Sequence, residues 1–418
     1  MIATAISIAT ILAVQLLGLP DAHAFVNVAG PQALARPALD AQATHALVQV
    51  AAASISADVA TAPPLAEEST YLFRDQFKIH AEASGPKDGQ PVVLIHGFGC
   101  SSTYWRATRS TLVDAGYRVH AIDLLGQGKS AKPGRSEGVE YSINLWAEQV
   151  DAYARDVVAK ERAGGGVGGL FDGLFGNSSN KRDGIVLMGN SLGSLVALSA
   201  ALGDHADSQD SEATDLSASA SAPAYLPGQV KGLCFFNCGV GLNSRGIVDE
   251  PQWSPVQRFL FTTVLNTLDV ILFKNPPVLA YLLSEVVTKD LLRGALEGLY
   301  RYDPTRVDDE LVDSFYYPAK DEGAPEALGQ IYTNNPGLSP MDLHEKYSDM
   351  AASLPIHLVW GDDDAVTPLS GGVGTFYSGL AEDETIVTMD VVESVGHIPF
   401  DDNPIECNGS MLRWIEAL

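Results

Sequence analysis

The stretch Gly189-Asn190-Ser191-Leu192-Gly193 carries the clearest chemical signal in the chain. It follows an apolar run at 185–188 and precedes an apolar helical run, which is the strand-to-helix setting of a nucleophile elbow. The two glycines leave room for a tight turn that projects the Ser191 hydroxyl above the sheet. The pattern predicts Ser191 as a nucleophile. For the five residues alone, an ordinary connection between a strand and a helix is the alternative.

A serine hydroxyl needs a base, an acid that orients the base, and hydrogen-bond donors for the oxyanion that forms. Residues 91–95 form a buried-strand pattern that leads into the glycine-rich loop His96-Gly97-Phe98-Gly99. Such a loop points one backbone N–H group at the oxyanion, and we expect that donor to be Phe98. The second expected donor is the N–H of Leu192, at the N-terminal end of the helix that follows Ser191.

The expected acid and base follow two later strand patterns. Residues 355–361 lead into Asp362, Asp363 and Asp364, and residues 385–392 are followed by His397. The order serine, acid, histidine, each just past the carboxyl end of a strand, is the order of the α/β-hydrolase fold. Taken singly, the histidine also fits a satisfied packing residue and the aspartates a solvated turn. Their joint placement favours a catalytic triad.

Among the three aspartates we expect Asp364 to be the acid. It alone stands directly before the run Ala-Val-Thr-Pro at 365–368. The chain here resembles hydrolases whose acid lies in a Gly-x-x-Asp-x-x-x-Pro segment. Asp362 and Asp363 are the alternatives.

The elements that must position these residues alternate between strand and helix. Residues 70–83 read as an opening antiparallel hairpin, 104–114 and 141–160 as helices, and 117–130 as a strand with a glycine-rich exit. Strands separated by helices at this spacing indicate parallel βαβ units. The expected fold class is α/β, with the mostly parallel, doubly wound sheet of the α/β-hydrolase fold.

The alternation is interrupted in three places. Residues 160–183 are rich in Gly, Ser and Asn, and residues 204–225 in Ser, Ala and Asp, so both are expected to be flexible surface insertions. Residues 245–346 show apolar residues at helical spacing and are expected to form a cap between two parts of the core, 68–244 and 347–418. The segment 259–287 is expected to line an apolar pocket over Ser191, with Phe261 and Leu282 as substrate contacts; the alternative is that these side chains pack cap against core.

Composition narrows the class of protein. A chain of 418 residues with 46% hydrophobic content can bury a large core. The formal net charge of −26 argues against nucleic acid or an anionic membrane surface as a partner. The four cysteines show neither metal-site spacing nor a disulfide framework, and Cys100 is expected to be a packing residue beside the oxyanion loop. The chemistry expected of the triad requires no cofactor and no metal.

The first part of the chain lacks the pattern of the fold. Residues 1–24 contain a long uncharged run that ends in Ala22-His23-Ala24, which fits a signal-peptidase site. The junction with Phe25 resembles that of bipartite plastid presequences in algae, and residues 25–67 then correspond to a transit peptide and linker. Plastid import is the expectation, with secretion as its main competitor. A membrane anchor in the uncharged run is a further alternative.

Several segments resemble one known group of hydrolases. Segments 141–150 and 230–237, the elbow at 189–193 and the run 396–402 look like plastid α/β-hydrolases of the pheophytinase and chlorophyll dephytylase group, and 308–312 and 318–324 are similar as well. The resemblance spans roughly residues 71–418. It implies hydrolysis of the phytyl ester of a chlorophyll or pheophytin, and peripheral association with the thylakoid membrane.

Other functions compete with that expectation. A generic carboxylesterase or lipid hydrolase would use the same triad, and a catalytically silent protein would use the pocket as a receptor. Enzymes of related fold that dehalogenate or open epoxides use a carboxylate nucleophile. A serine at position 191 argues against both of these reactions. The sequence leaves the oligomeric state open.

Overall fold

A computed structural model describes residues 66–164, 184–207, 224–242, 262–263, 266–267, 269–383 and 386–418. The expected signal and transit segments, most of both expected insertions, and Phe261 lie outside these ranges.

The described strands form one eight-stranded sheet in the order β1-β2-β4-β3-β5-β6-β7-β8. The first two strands are an antiparallel hairpin, as the alternation at 70–83 indicates, and β2 also runs antiparallel to β4. From β4 through β3 to β8 every pairing is parallel, with Val92 opposite Val119 on one side and Val186 on the other. The strands are Glu67–Phe73, Phe77–Ser84, Pro91–Ile95, Arg118–Ile122, Ile185–Ser191, Val230–Cys238, Ile356–Gly361 and Val387–Val392.

Helices cover both faces of the sheet, so the central strands are buried on both sides. Along β3, Val93 and Ile95 belong to one hydrophobic cluster, whereas Val92 and Leu94 belong to the other. This is the period of two that a strand imposes on its side chains. The core helices are α1 Arg106–Asp114, α2 Ile143–Tyr153, α3 Ala159–Gly164, α4 Leu192–Leu202 and α5 Asp204–Asp207, with a 3₁₀ turn at Ser102–Trp105 and a π turn at Ala154–Val158.

A helical stretch separates β6 from β7, where the sequence predicts a cap. It contains α6 Pro276–Tyr281, α7 Lys289–Glu297, α8 Asp309–Tyr316, α9 Ala324–Thr333, α10 Pro340–Lys346 and α11 Ser348–Ala351, with π turns at Asp269–Phe273 and Leu282–Val286. Part of this stretch has a core of its own, formed by Leu272, Phe273, Leu279, Leu282 and Val287.

The last elements return to the sheet. Helix α12 Gly372–Asp383 links β7 to β8, and α13 Pro399–Asp402 and α14 Pro404–Ala417 follow β8. The mostly parallel sheet with helices on both faces is the α/β-hydrolase fold, which confirms the expected fold class. In the part of the chain that the structure describes, no helix combines the length and apolarity needed to span a bilayer.

Candidate active site

The proposed nucleophile lies on a strained turn between β5 and α4. Ser191 ends the strand with a φ of 52° and a ψ of −121°, a region that non-glycine residues rarely enter. The turn is so tight that a Cβ on Gly193 would lie 2.1 Å from the Ile95 carbonyl oxygen. A Cβ on Gly189 would lie 2.4 Å from the backbone of Gly193. The elbow pattern therefore reflects contacts that only glycine permits.

His397 and Asp364 meet in the loops that follow β8 and β7. The Nδ1 atom of His397 lies 2.7 Å from Oδ2 of Asp364, and the Asp364 side chain is fully buried. The two alternative acids have other partners. Asp363 is half-exposed and pairs with Arg301 at 2.8 Å, and Asp362 accepts a hydrogen bond from the Ser394 N–H at 2.6 Å.

Asp364 is held in its ionised form by a set of donors. Burial alone would raise the pKa of this carboxyl, but the charge and hydrogen bond of His397, together with Thr367 and Asn237, hold the pKa well below its usual range. Thr367 Oγ1 and Asn237 Nδ2 each donate to Oδ2 at 2.6 Å, and the Val366 N–H donates to Oδ1 at 2.7 Å. An ionised carboxylate only accepts, so Nδ1 of His397 carries the proton and Nε2 is left as a base.

Asn237 and Thr367 are supporting residues that sequence reasoning missed. Asn237 lies in β6 with a φ of 46°, and its Oδ1 accepts from the Gly361 N–H at 3.0 Å while its amide donates to Asp364. An asparagine near the carboxyl end of an otherwise apolar strand was the available signal, because asparagine tolerates left-handed backbone and can bond in two directions.

The loop after β3 is organised around Phe98. On its two sides, the Gly97 N–H donates to the Tyr104 hydroxyl at 2.7 Å and the Gly99 N–H donates to Gln127 Oε1 at 2.6 Å. Within the described ranges the Phe98 N–H has no acceptor of its own. The N–H of Leu192 is at the first position of α4, where no intrahelical partner exists. Phe98, on the loop after β3, and Leu192, at the start of α4, thus line the same cavity as Ser191.

One buried asparagine ties the elbow to the histidine loop. The amide of Asn190 donates to the His397 carbonyl at 3.0 Å and to the Phe236 carbonyl at 2.8 Å. Its Oδ1 accepts from the Tyr104 hydroxyl at 3.2 Å, which in turn accepts the Gly97 N–H. The loops that carry Phe98, Ser191 and His397 are therefore connected by one continuous hydrogen-bond chain.

A second histidine near the loop has a structural role. His96 is fully buried, its Nε2 accepts from the Leu124 N–H at 2.9 Å and its Nδ1 lies 2.7 Å from the Gly97 carbonyl oxygen. Burial lowers its pKa. Since both ring nitrogens are engaged, His96 has no free base to offer.

Ser191 and His397 open onto an apolar cavity of about 190 Å³. The cap side of the cavity consists of residues on α7, α8 and α9 together with residue 299, and no Asp, Glu, Lys or Arg is among the described residues that line it. Cys100 also lines it, and burial raises the pKa of this thiol, so the cysteine behaves as a packing residue. The apolar wall is formed by Val240, Leu242, Leu292, Ala295, Leu296, Leu299, Phe315, Ile331, Tyr332, Val366 and Ile398.

The expected substrate contact at Leu282 needs correction. Leu282 is buried in the separate cap cluster with Leu272, Phe273, Leu279 and Val287, and it does not line the cavity. It opens the π turn after α6 and points into the core of the cap because that is where its apolar neighbours lie. Phe261, the other expected contact, lies outside the described residues.

The described residues offer one group with ligand atoms close enough together for a metal ion. It consists of Glu68, His80 and Glu82, whose atoms lie within 4.8 Å of one another, and none of them lines the cavity. Arg109 pairs with Glu82 and Lys129 pairs with Glu68, so protein cations already neutralise both carboxylates.

The geometry defines the class of the protein. The sequence model that describes the alpha/beta hydrolase family matches residues 92–408 of this chain, so the chain belongs to this family. Among curated proteins, a haloalkane dehalogenase of Mycolicibacterium paratuberculosis is 45% identical over 68 residues, which are 16% of this chain and 23% of that protein. Epoxide hydrolase B of Mycobacterium tuberculosis is 51% identical over 57 residues, 13% of this chain and 16% of that protein. The chain therefore matches only a minor part of each relative.

Solved structures share the fold over most of the chain. Potato (Solanum tuberosum) epoxide hydrolase I is similar with a TM-score of 0.56 at 16% identity, covering 84% of this chain and 100% of that one. A bromoperoxidase from Bacillus anthracis gives 0.53 at 16% identity over 84% and 100% of the two chains. An esterase from Thermogutta terrifontis gives 0.51 at 17% identity over 84% and 98%. At these identities the likeness shows the fold alone.

Proposed function

We propose that the protein is a serine hydrolase that cleaves a carboxylic ester by a Ser191-His397-Asp364 triad. The observation that carries the proposal is the 2.7 Å contact between His397 and an ionised, fully buried Asp364, on the same cavity that Ser191 lines from its strained turn. A hydroxyl, a base with a free Nε2 and a fixed negative charge behind that base are the parts that acyl transfer requires.

The proposed reaction proceeds by acyl transfer to water. Ser191 Oγ attacks the ester carbonyl carbon while Nε2 of His397 takes the hydroxyl proton, and the N–H groups of Phe98 and Leu192 stabilise the oxyanion. His397 then gives that proton to the leaving alcohol as the bond between carbonyl carbon and alcohol oxygen breaks. Water, deprotonated by His397, attacks the acyl-enzyme, and collapse releases the acid and restores Ser191.

The named activities of the curated relatives provide the competing functions. Haloalkane dehalogenase and epoxide hydrolase reactions in related folds proceed through a carboxylate nucleophile, whereas the elbow of this chain presents a serine hydroxyl. Ser191 therefore favours the ester over the haloalkane and the epoxide. A silent binding protein is disfavoured because a receptor has no need of a buried carboxylate held by four donors behind a histidine.

For the substrate we propose an uncharged ester with a long apolar group, and first the phytyl ester of chlorophyll or pheophytin. The apolar cavity wall without any Asp, Glu, Lys or Arg among its described residues supports the apolar ester. The phytyl ester is supported by the resemblance of segments 141–150, 189–193, 230–237 and 396–402 to dephytylating plastid hydrolases. A generic carboxylesterase or lipid hydrolase is the second candidate.

The test is to incubate the purified protein with chlorophyll a, pheophytin a, and p-nitrophenyl acetate and palmitate, and to separate the products. Release of phytol supports the pigment ester, and hydrolysis of p-nitrophenyl esters alone supports the generic esterase. A fluorophosphonate probe should label Ser191, as mapped by peptide mass spectrometry, and Ser191→Ala should remove the label. Turnover of a haloalkane or an epoxide without any ester hydrolysis would overturn the proposal.

We also propose that residues 1–67 direct the chain to a plastid, where peripheral contact with the thylakoid membrane would give access to an apolar ester. The support is the run 22–28 around Phe25, which resembles an algal bipartite presequence. A fluorescent reporter fused after residue 67 should enter the plastid of an alga, and Phe25→Ala should divert it. Secretion of the unaltered fusion would instead support a plain signal peptide.

A further inference from the structure

Asp402 is a fully buried carboxylate that holds two separate parts of the chain. Its Oδ2 accepts from the Gly396 N–H at 2.8 Å and from the Arg301 N–H at 2.9 Å. Its Oδ1 accepts from the Asp303 N–H at 2.8 Å, and both oxygens lie 3.1 Å from the Tyr302 nitrogen. One side chain therefore joins three consecutive N–H groups of the cap to the residue before His397.

The same cap segment also contacts His397 directly. The N–H of His397 donates to the Leu299 carbonyl oxygen at 3.0 Å. Gly396 approaches that carbonyl so closely that a Cβ at 396 would lie 2.0 Å from its oxygen. Leu299 in turn lines the cavity over Ser191. The backbone of His397 is thus bonded to residues 299–303 of the cap. The first residue of this segment lines the cavity.

The neighbouring carboxylate, Asp401, also bonds to this stretch of the cap. Asp401 is fully buried and accepts from the Tyr300 hydroxyl at 2.9 Å, from Arg306 at 2.8 Å and from Arg106 of α1 at 3.0 Å. Arg106 also donates to the Arg306 carbonyl at 2.6 Å. Segment 299–303 is therefore anchored to the core independently of Asp402, so loss of Asp402 would loosen Gly396 rather than release the cap.

We propose that Asp402 is a positioning residue, which sets the orientation of His397 by tying Gly396 to cap segment 299–303. The inference rests on the proposed function, in which His397 is the base. A carboxylate suits the position because it has about four acceptor sites and no hydrogens, and bonds to an ionised acceptor are roughly twice as strong as neutral ones. An amide in its place would turn an NH₂ group, which donates, towards backbone N–H groups that also donate.

The test is Asp402→Asn in the full chain, with steady-state kinetics on p-nitrophenyl acetate. We expect kcat to fall by roughly 10- to 100-fold with KM changed less than about threefold, since a displacement of about 1 Å at a reacting group can cost on the order of 100-fold. The second readout needs no substrate: in protein labelled with ¹⁵N-histidine, the low-field proton on Nδ1 of His397, identified by its loss in His397→Ala, should shift or broaden.

Two further variants separate positioning from simple loss of stability. Asp321→Asn is the matched control, because it also neutralises an aspartate between cap and core, the partner of Lys132 at 2.7 Å, but lies outside the contacts of Gly396 and segment 299–303. It should leave kcat and the His397 signal unchanged. Gly396→Ala displaces the same backbone without altering charge, because its Cβ would lie 2.0 Å from the Leu299 carbonyl oxygen, and it should lower kcat as Asp402→Asn does. If Asp402→Asn does not fold, Asp402→Glu decides the question by the same two measurements, because it keeps the acceptor oxygens but moves them away from the Gly396 N–H.

The outcomes distinguish this inference from the proposed function. A folded Asp402→Asn with unchanged kcat and an unchanged His397 signal would overturn the positioning role, and so would a loss confined to KM. If the wild-type protein hydrolyses no ester, the proposed function fails, yet the His397 signal still reports whether Asp402 orients the ring. The double variant of Asp402→Asn with Gly396→Ala should be little worse than the poorer single one, because both displace the backbone of Gly396.

Discussion

Ser191 occupies a backbone conformation that typically costs on the order of 1–3 kcal/mol for a side-chain-bearing residue. Such a conformation persists only where the surroundings enforce it. Here the Gly239 N–H donates to the Ser191 carbonyl at 2.9 Å, and Gly189 and Gly193 allow the strand and helix to close on each other. This turn places Ser191 on the cavity.

We predict that Ser191→Ala and His397→Ala each lower kcat by on the order of 10⁵-fold, and that the double variant is little worse than either. The residues of a triad act as a unit, so removal of one leaves the other without a function. The measurement is kcat for p-nitrophenyl ester hydrolysis with circular dichroism as the folding control. Near-normal hydrolysis by Ser191→Ala would exclude the mechanism.

Asn237 supports a second prediction at the scale of single residues. Replacing it with Ala removes a donor to Asp364 and leaves the Gly361 N–H without its side-chain acceptor. A buried group left unsatisfied costs about 1–3 kcal/mol, and Ala tolerates the φ of 46° less well than Asn, so the free energy of unfolding should fall by at least that amount. With fewer donors the pKa of Asp364 should rise towards its usual range. Because a depressed carboxyl pKa stabilises the fold above the unfolded pKa, the variant should gain less stability between acid and neutral pH than the wild type.

Urea unfolding of Asn237→Ala at pH 7 measures the loss of stability. Acid unfolding from about pH 5 down to about pH 1 measures the pH dependence, because the pKa of Asp364 lies well below the usual carboxyl range. An unchanged pH dependence would show that Asn237 does not hold the Asp364 charge. Thr367→Val is the companion variant, since the Thr367 hydroxyl donates to the same oxygen of Asp364 as Asn237 does, also at 2.6 Å.

The order of motifs was enough to predict that Ser191, Asp364 and His397 lie together. Parallel strands end at a common edge, so residues just past β5, β7 and β8 must share that edge. The partners of these residues were not predictable in the same way. Asn237 and Asp364 are 127 positions apart, and no local pattern in either strand indicates the bond between them.

At the scale of elements, whether a segment forms a helix or a strand was easier to predict than where that helix or strand begins and ends. The helix expected at 104–114 begins as a 3₁₀ turn at Ser102–Trp105 before α1 takes over, and the helix expected at 141–160 contains the π turn Ala154–Val158. Apolar periodicity reports which residues face the core but is insensitive to the tightness of each turn.

The cap shows the limit of periodicity most clearly. The apolar residues of segment 259–287 predict a buried helical face. Five of the described ones are buried in a cluster of their own, whereas Val270, Ile271 and Tyr281 are exposed. Among the described residues, the cap side of the cavity comes instead from α7, α8 and α9 together with Leu299, which lie further along the chain. A row of apolar residues on a helix indicates that this face is buried. Which other element buries it depends on how the helices pack in the folded chain.

We predict that Phe315→Ala changes substrate preference, whereas Leu282→Ala lowers stability. Phe315 lines the cavity, so its truncation should shift the preference among p-nitrophenyl esters towards longer or bulkier acyl chains. Leu282 is buried in the cap cluster, so its truncation should destabilise the protein by about 2–5 kcal/mol and leave the chain-length profile unchanged. The measurements are kcat/KM from acetate to palmitate, and urea unfolding.

Each of these variants is the control for the other. A changed chain-length profile in Leu282→Ala, or an unchanged one in a folded Phe315→Ala, would show that the cavity described here does not hold the acyl group.

At the scale of the whole molecule, the first strand among the described residues is β1, which begins at Glu67. This strand pairs with β2 over its full length, and Glu67 and Glu68 pair with Arg118 and Lys129. We predict that a variant lacking residues 1–65 keeps its melting temperature within a few degrees and keeps its kcat/KM. A variant lacking residues 1–75 is the control and should be destabilised, because it loses β1. Loss of activity in the first variant would assign residues 1–65 a part in the fold or the site.

Two histidines that pack in different surroundings, the half-buried His344 and the buried His357, predict how the molecule responds to acid. Burial lowers the pKa of His344, on α10, and of His357, on β7, each to about 4. The unfolded chain takes up these protons near pH 6.5 and the folded protein only near pH 4. The stability that the neutral rings contribute is therefore complete above about pH 6.5 and is lost as pH falls towards about 4.

We predict that His344→Gln and His357→Gln each reduce the slope of the free energy of unfolding between pH 6.5 and 4, by up to about 1.4 kcal/mol per pH unit. His344 packs against Phe376 and Tyr377, whereas His357 stacks on Trp414 and contacts Ser410 at 2.8 Å. The two sites share no partner, so their effects on the slope should add in the double variant. Urea unfolding at half-unit pH steps measures the slope for each protein. A slope identical to that of the wild type in both single variants would show that acid sensitivity in this range comes from other groups.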